Sequence, residues 1–327
     1  MNLSRFSLSF RLLTVALAVF PVAFGVKAIQ VTLPDAGSYN LITWSDATLQ
    51  NSDIQGTVAV GGNATFSSYS IGGSANNASP TDPSFVVNGN LTAGNGQVYN
   101  GSIYVGGNYS GPGYNLNTAP GSVTQTGMGS AVPFNFAVAQ SALTASSATY
   151  GATAATGSSL LQSSTLTLTG LDPTLNIFNI TAAQLMSAST LQINVASGSH
   201  VLVNVSGNSA TFANMGILGT ASATNTLFNF YQATTLLLSG IGVEGSILAP
   251  LANVNFTSGQ MNGQLIANSF TGPGELHNHP FGNQTNPPTV PDSAATILLF
   301  LCSLGALVLF RKWFVHGQFS GRTVRAK

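Results

Sequence analysis

The sequence predicts a mainly β protein: a right-handed β-solenoid with one flanking α-helix, followed by a C-terminal transmembrane helix. Three observations carry the prediction. Glycine-punctuated segments recur along the chain, aliphatic residues alternate through short runs rich in Thr, Ser and Asn, and one uncharged apolar run stands near the C-terminus.

The N-terminal residues 1–28 read as a secretory signal peptide. Arg5 and Arg11 supply the positive region, 12–24 is an apolar stretch, and Val26-Lys27-Ala28 leaves small residues where a signal peptidase reads. Cleavage is expected after Ala28.

Residues 29–282 form the β domain. Its repeated pattern is apolar, polar, Gly, polar, aliphatic, any, small apolar. It occurs at Ile54-Gln55-Gly56, Tyr99-Asn100-Gly101, Val243-Glu244-Gly245 and Met261-Asn262-Gly263 with the four residues that follow each. Each copy reads as a short strand bent at its Gly, and the last two lie one coil of a solenoid apart. Stacked coils bury a core that no single coil could build. Leu166/Leu168, Leu191/Ile193/Val195, Val201/Val203/Val205 and Val254/Phe256 alternate as further strands. A β-sandwich would use similar strands and stays open as the alternative. One segment departs from the pattern. Residues 133–150 are rich in Ala, Gln and Ser, with Phe136, Leu143, Ser147 and Tyr150 at helical spacing and Pro133 suited to a first turn.

Beyond the domain, 283–293 is a Pro-rich linker. The run 294–310 is apolar and uncharged, and as a helix spans about 26 Å, near the lower limit for a bilayer core. Arg311 and Lys312 follow it and open a basic tail, 311–327, which the positive-inside rule places in the cytoplasm. Everything between the signal peptide and the span is then exported. Cys302, the one cysteine, falls inside the span, so the exported region has no thiol chemistry.

Charge narrows the function classes. Only 5% of residues are charged, against roughly a quarter in ordinary soluble domains. No Lys or Arg occurs from Ala28 to Phe310, while Asp35, Asp46, Asp53, Asp82, Asp172, Glu244 and Glu275 give residues 29–290 a formal charge of −7. Nucleic-acid binding and Arg or Lys clamps on anionic substrates are thereby excluded from the exported part. No cofactor signature is present.

The pattern around Tyr39-Asn40-Leu41, Asp46, Asn51 to Gly56 and Val60 to Asn63 resembles the start of a choice-of-anchor A domain. The block Gly245 to Pro250, with Gly263 and Ser269 to Asn278, resembles its close. Val290-Pro291-Asp292-Ser293-Ala294 resembles the VPDSG variant of the PEP-CTERM sorting signal, with Ala294 where the family has Gly. The first resemblance implies a secreted bacterial adhesive domain without known catalytic residues. The second implies a membrane sorting protease as partner, with permanent anchorage as the alternative.

Candidate sites follow from residue types. Asp46 and Asp53 are the closest acidic pair in sequence, and a glycan-active enzyme could use two carboxylates some 5 to 9 Å apart. Turn capping is the simpler role for each. Glu275, His277 and His279 alternate and would share one face of a strand, two imidazoles and a carboxylate being able to hold a metal. Closing the domain is the simpler role here. Thr165, Thr167 and Thr169 also share a face, as in ice-binding solenoids, but on one strand only. Gly61-Gly62 and Gly106-Gly107 read as turns, since neither precedes a helix or a Lys. The expectation from these residues is a non-enzymatic, membrane- or surface-anchored adhesin whose Thr, Ser, Asn and Tyr side chains contact polysaccharide. A self-assembling surface protein is a further possibility.

Overall fold

The computed structural model describes residues 29–282, and the fold they form is mainly β, with a large parallel sheet and one substantial helix. The strands stack into three parallel ladders that the chain visits in turn. The first runs from Leu175–Thr181 through His200–Ser206, Thr226–Asn229, 246–249 and 265–267. It continues through Tyr39–Thr43, Thr57–Val60, Pro83–Val87 and Ser102–Val105 to Thr124–Gln125.

That order shows how the chain is wound. Tyr39–Thr43 lies in the middle of the stack, with Leu41 in register with Leu265 on one side and Val58 on the other. From this first described strand the chain climbs to Thr124–Gln125, returns, and climbs again from Thr165–Thr169 until the last described coil meets the first. Helix α1, Phe136–Gly151, follows the upper coils and packs on 200–206, 226–229 and the long strand Ser246–Asn262 of the lower ones.

Helix α1 forms because Asn135 caps it, its Oδ1 accepting the Val138 N–H at 3.1 Å, and because Ala139, Leu143, Ser147 and Tyr150 fall on one buried face. Pro133 lies before this cap rather than in the first turn, and Phe136 is only half buried. The first ladder is buried on both sides, in the coils under the helix and in those above it: Ile42, Ala59, Val86, Leu202, Leu227, Leu248 and Ile266 point outward and are as enclosed as the inward Val58, Val203 and Leu265. This explains strands that read as continuous apolar runs instead of alternating ones.

A column of amides fastens the helix. Asn229 Nδ2 donates to Asn204 Oδ1 and Asn204 Nδ2 to Asn179 Oδ1, both at 2.9 Å. From the helix side, Ser147 Oγ donates to Asn229 Oδ1 at 2.6 Å. Asn229 Nδ2 donates to Ser147 O, and Asn204 Nδ2 to Tyr150 O at 2.7 Å.

The second ladder is Ser209–Ala213, 235–239, 253–258, 269–272, 47–50, 64–67, Leu91–Ala93 and Tyr109–Ser110. The third comprises 241–244, 259–262, Glu275–His277, 52–54, 69–71 and Gly96–Val98. In the lowest coils its place is taken by a four-stranded sheet of Ser158–Gln162, Thr165–Thr169, Thr190–Asn194 and Gly216–Gly219. A short helix, α2 at Ala182–Met186, packs beneath Ser209–Ala213 and closes the bottom of the second ladder. Thr181 and Gln184 form its capping box.

One hydrophobic core, from Leu41 to Leu276, threads all the coils. The four glycine repeats sit where the third ladder turns into the first. At Gly263 an added Cβ would strike the backbone of Gly245 in the coil below, so the corner closes only around glycine. Among the described residues no helix is long and apolar enough to cross a membrane; the expected span, 294–310, lies outside them.

Candidate functional site

Of the three faces, the second ladder combines exposure with regularity. Its inward side chains, among them Phe212, Leu238, Phe256, Phe270, Leu49 and Phe66, are fully buried. The side chains between them point outward and are stacked in register: Thr211, Leu237, Asn255, Thr271, Thr48, Thr65, Thr92 and Ser110. Five successive rungs, Thr271 through Ser110, carry a hydroxyl, and none of the eight is ionisable. Strands in a parallel sheet lie about 4.8 Å apart, so the hydroxyls repeat at that interval along the stack.

A second regular column borders this row at the corner where the chain enters the ladder. Asp46 Oδ1 accepts the Asn63 N–H at 2.7 Å, Asn63 Oδ1 the Asn90 N–H at 2.9 Å, and Asn90 Oδ1 the Asn108 N–H at 2.8 Å. Each Asx side chain thus holds the backbone of the next coil. The preceding glycines make room: a Cβ on Gly62 would collide with Asp46 Oδ1, and one on Gly107 with Asn90 Oδ1. Gly61-Gly62 and Gly106-Gly107 are turns, built for this column.

Asp46 and Asp53 are not brought together. Asp46 is committed to the corner column, while Asp53 lies on the third ladder, with Ile54 in register with Leu276 and Ser70 beside it on the next coil. Its neighbour is Glu275. Burial first, and the Glu275 charge second, push the Asp53 carboxyl above the usual carboxylate range, while His277 opposes them. Glu275 and His277 do share a face, with His277 Nε2 at 2.8 Å from Glu275 Oε1. His277 Nδ1 lies 2.6 Å from Asn262 Oδ1, and Asn262 Nδ2 donates to Glu244 Oε1 at 2.9 Å. Both imidazole nitrogens are therefore engaged. His279 lies past the end of the strand and is exposed. Among the described residues no group of His, Cys, Asp and Glu is placed to hold a metal ion.

Thr165, Thr167 and Thr169 do face one way, but in the four-stranded sheet at the bottom, where their neighbours are Thr190, Gln192 and Asn194. The flanking outward residues Leu160 and Leu218 are exposed and apolar, so this sheet lacks the hydroxyl row of the second ladder. Val290, Pro291, Asp292, Ser293, Ala294, Arg311 and Lys312 lie outside the described residues.

The hydroxyl row went unread in the sequence because it runs across coils. Its signature is Asx, apolar, Thr or Ser: Asp46-Ala47-Thr48, Asn63-Ala64-Thr65, Asn90-Leu91-Thr92 and Asn108-Tyr109-Ser110. The comparison with known families is decisive. Residues 32–278 match a family described as "Putative Ice-binding-like adhesive domain".

The chain belongs to that family.

The match covers more than half of the chain and corrects the resemblance drawn from sequence: the family is neither choice-of-anchor A nor a PEP-CTERM one. The shared corner glycines and Asn residues that suggested the former are requirements of stacked coils rather than marks of that family. Membership places the protein among adhesive domains, a non-catalytic class related to ice-binding domains.

Among solved structures, the ice-binding protein from the Antarctic ascomycete Antarctomyces psychrotrophicus is 14% identical, with 79% of this chain and 100% of that chain covered and a TM-score of 0.35. The antifreeze ice-binding protein LeIBP from an Arctic yeast is 13% identical, covering 80% and 98%, with a TM-score of 0.33. An ice-binding protein from an Antarctic biological consortium is 14% identical, covering 80% and 95%, with a TM-score of 0.27. Likenesses at this level add no weight to the family assignment. No curated protein matches the chain.

Proposed function

We propose that the protein is an exported adhesin of a bacterial surface whose second ladder binds a neutral, repeating, hydroxyl-presenting surface, either polysaccharide or ice. The observation that carries this reading is the uncharged row Thr271–Thr48–Thr65–Thr92–Ser110 on an exposed ladder. Each Thr offers a hydroxyl that donates and accepts, beside a methyl group. Because the rungs are fixed by the sheet, little side-chain freedom is lost on docking. The family description supports adhesion, and the absence of Lys and Arg from Ala28 to Phe310 favours a target without charge.

The winding reads as a right-handed β-solenoid, the hand that parallel crossovers adopt in nearly all cases. Export by the segment 1–28 and membrane anchorage by 294–310, with the tail 311–327 in the cytoplasm, complete the proposal. The linker 283–293 would then hold the domain off the membrane.

The test uses residues 29–282, which contain the hydrophobic core that threads the described coils, and two solid targets, ice and crystalline cellulose. Retention on either, abolished by Thr65→Arg with Thr92→Arg at unchanged melting temperature, is the expected result. A double variant retained as well as the parent would remove the second ladder from the account.

A further inference from the structure

A cavity of about 700 Å³ opens beside the upper coils, lined by Asn88, Ser130, Val132, Phe134, Asn135 and Phe136, with Pro133 and Ala137 at its rim. It lies at the edge of the proposed binding face: Asn88 opens the turn out of Pro83–Val87, and Asn90, two residues on, belongs to the corner column. Its size falls within the range of small-molecule sites, roughly 300–1,000 Å³.

Its lining is amphipathic and uncharged. Phe134 and Phe136 are half buried, their rings 4.7 Å apart and edge-on, and Phe134 rests on Tyr39 at 4.8 Å. Phe134 and Phe136 form an apolar wall, with Tyr39 packed behind Phe134.

Opposite chemistry comes from two amides, each half committed. Asn88 Nδ2 donates to Gly61 O at 3.2 Å, which orients the side chain and leaves Oδ1 as an acceptor. Asn135 Oδ1 accepts the Val138 N–H, which leaves Nδ2 as a donor. Ser130 adds a hydroxyl that can do either. A wholly apolar ligand would desolvate these groups without partners. An anionic ligand would find no cation in the lining, and a cationic one no carboxylate. What remains is a neutral molecule with an apolar ring face and hydroxyls at its edge.

We propose that this cavity is a binding site for a short neutral oligosaccharide, seating the end or a branch of the glycan whose ordered surface the second ladder contacts. The site rests on the adhesin reading only for its place beside that ladder, since binding of a soluble sugar needs no solid surface. It also separates the two targets, because ice has no unit to fill a cavity lined by aromatic rings.

The experiment is calorimetric titration of the full chain, held in a detergent without sugar headgroups. The probes are neutral tetrasaccharides of glucose, N-acetylglucosamine, galactose and mannose. Binding of at least one is expected, weakened at least tenfold by Phe136→Ala, by Phe136→Leu, which keeps bulk but removes the ring, and by Asn88→Asp. Thr65→Arg with Thr92→Arg should leave that affinity within twofold while abolishing retention on solid targets. Absence of binding by every tetrasaccharide overturns the proposal, as does binding that Phe136→Leu and Asn88→Asp leave unchanged. Failure of the surface test alone would instead count against the second ladder and leave the cavity standing.

Discussion

Asn204 makes three of the contacts that matter most at the scale of single residues. It joins Asn179, Asn229 and the Tyr150 carbonyl in a column between helix and sheet that is buried at Asn204 and Asn229. Replacing it by Ala removes three hydrogen bonds and leaves Asn229 Nδ2, Asn179 Oδ1 and the Tyr150 carbonyl each one partner short, with Asn229 and the carbonyl under the helix. The expected loss is about 2–4 kcal/mol, read from chemical denaturation, against about 1 kcal/mol for an ordinary hydrogen bond. Asp53 should behave oppositely. Its folded carboxyl titrates above the ordinary range, chiefly through burial and then through Glu275. A raised folded-state pKa means that the folded form favours the protonated group. Its contribution is therefore full below the unfolded-state pKa and is lost as pH rises through the folded one. Asp53→Asn should accordingly raise the melting temperature at pH 7 relative to the parent and show a smaller gain, or none, at pH 3. The side chain is part-exposed, so the effect is modest. A variant equally stabilised at both pH values would show that charge is not the cause.

Elements were legible in the sequence where the signal is local. The bent glycine repeats do mark one corner of the stack, the alternating aliphatics are buried, and the register of Glu244 with Asn262 makes the last two repeats one coil apart, as their spacing implies. Helix α1 is where its spacing puts it, shortened at the start because Asn135, not Pro133, sets the cap. What stayed hidden runs perpendicular to the chain. Thr48, Thr65, Thr92 and Ser110 are neighbours at intervals of 17, 27 and 18 residues, too uneven to show as a period. Thr271 joins them only because the last coil stacks on the first. Asn179, Asn204 and Asn229 recur every 25 residues, yet single Asn residues among so many polar ones gave no reason to be picked out. The same closure predicts a result for the elements. Strand Leu265–Gly272 lies between the two halves of the stack, paired with 246–255 on one side and 39–49 on the other. A chain ending at Gln264 should lose cooperative thermal unfolding altogether, as followed by circular dichroism. A truncated protein that still melts in a single sharp transition would show that the halves fold independently.

At the scale of the whole molecule, the formal net charge of zero conceals a division of labour. All the cations lie in the terminal segments, and the domain between them presents hydroxyls, amides and a few acids. An adhesive surface of that kind gains nothing from counterion release or steering, so its hold on a solid target should change less than twofold between 20 mM and 500 mM salt, where Debye screening shortens from about 20 Å to about 4 Å. A steep loss with salt would place the contact on the acidic third ladder instead. The account turns on one face, and it is tested most directly by the retention of residues 29–282 on ice and on crystalline cellulose, with and without Thr65→Arg and Thr92→Arg. The account predicts retention of the parent on at least one of them and none of the double variant, with both melting at the same temperature. Equal retention of the two proteins, or none of either, would contradict it.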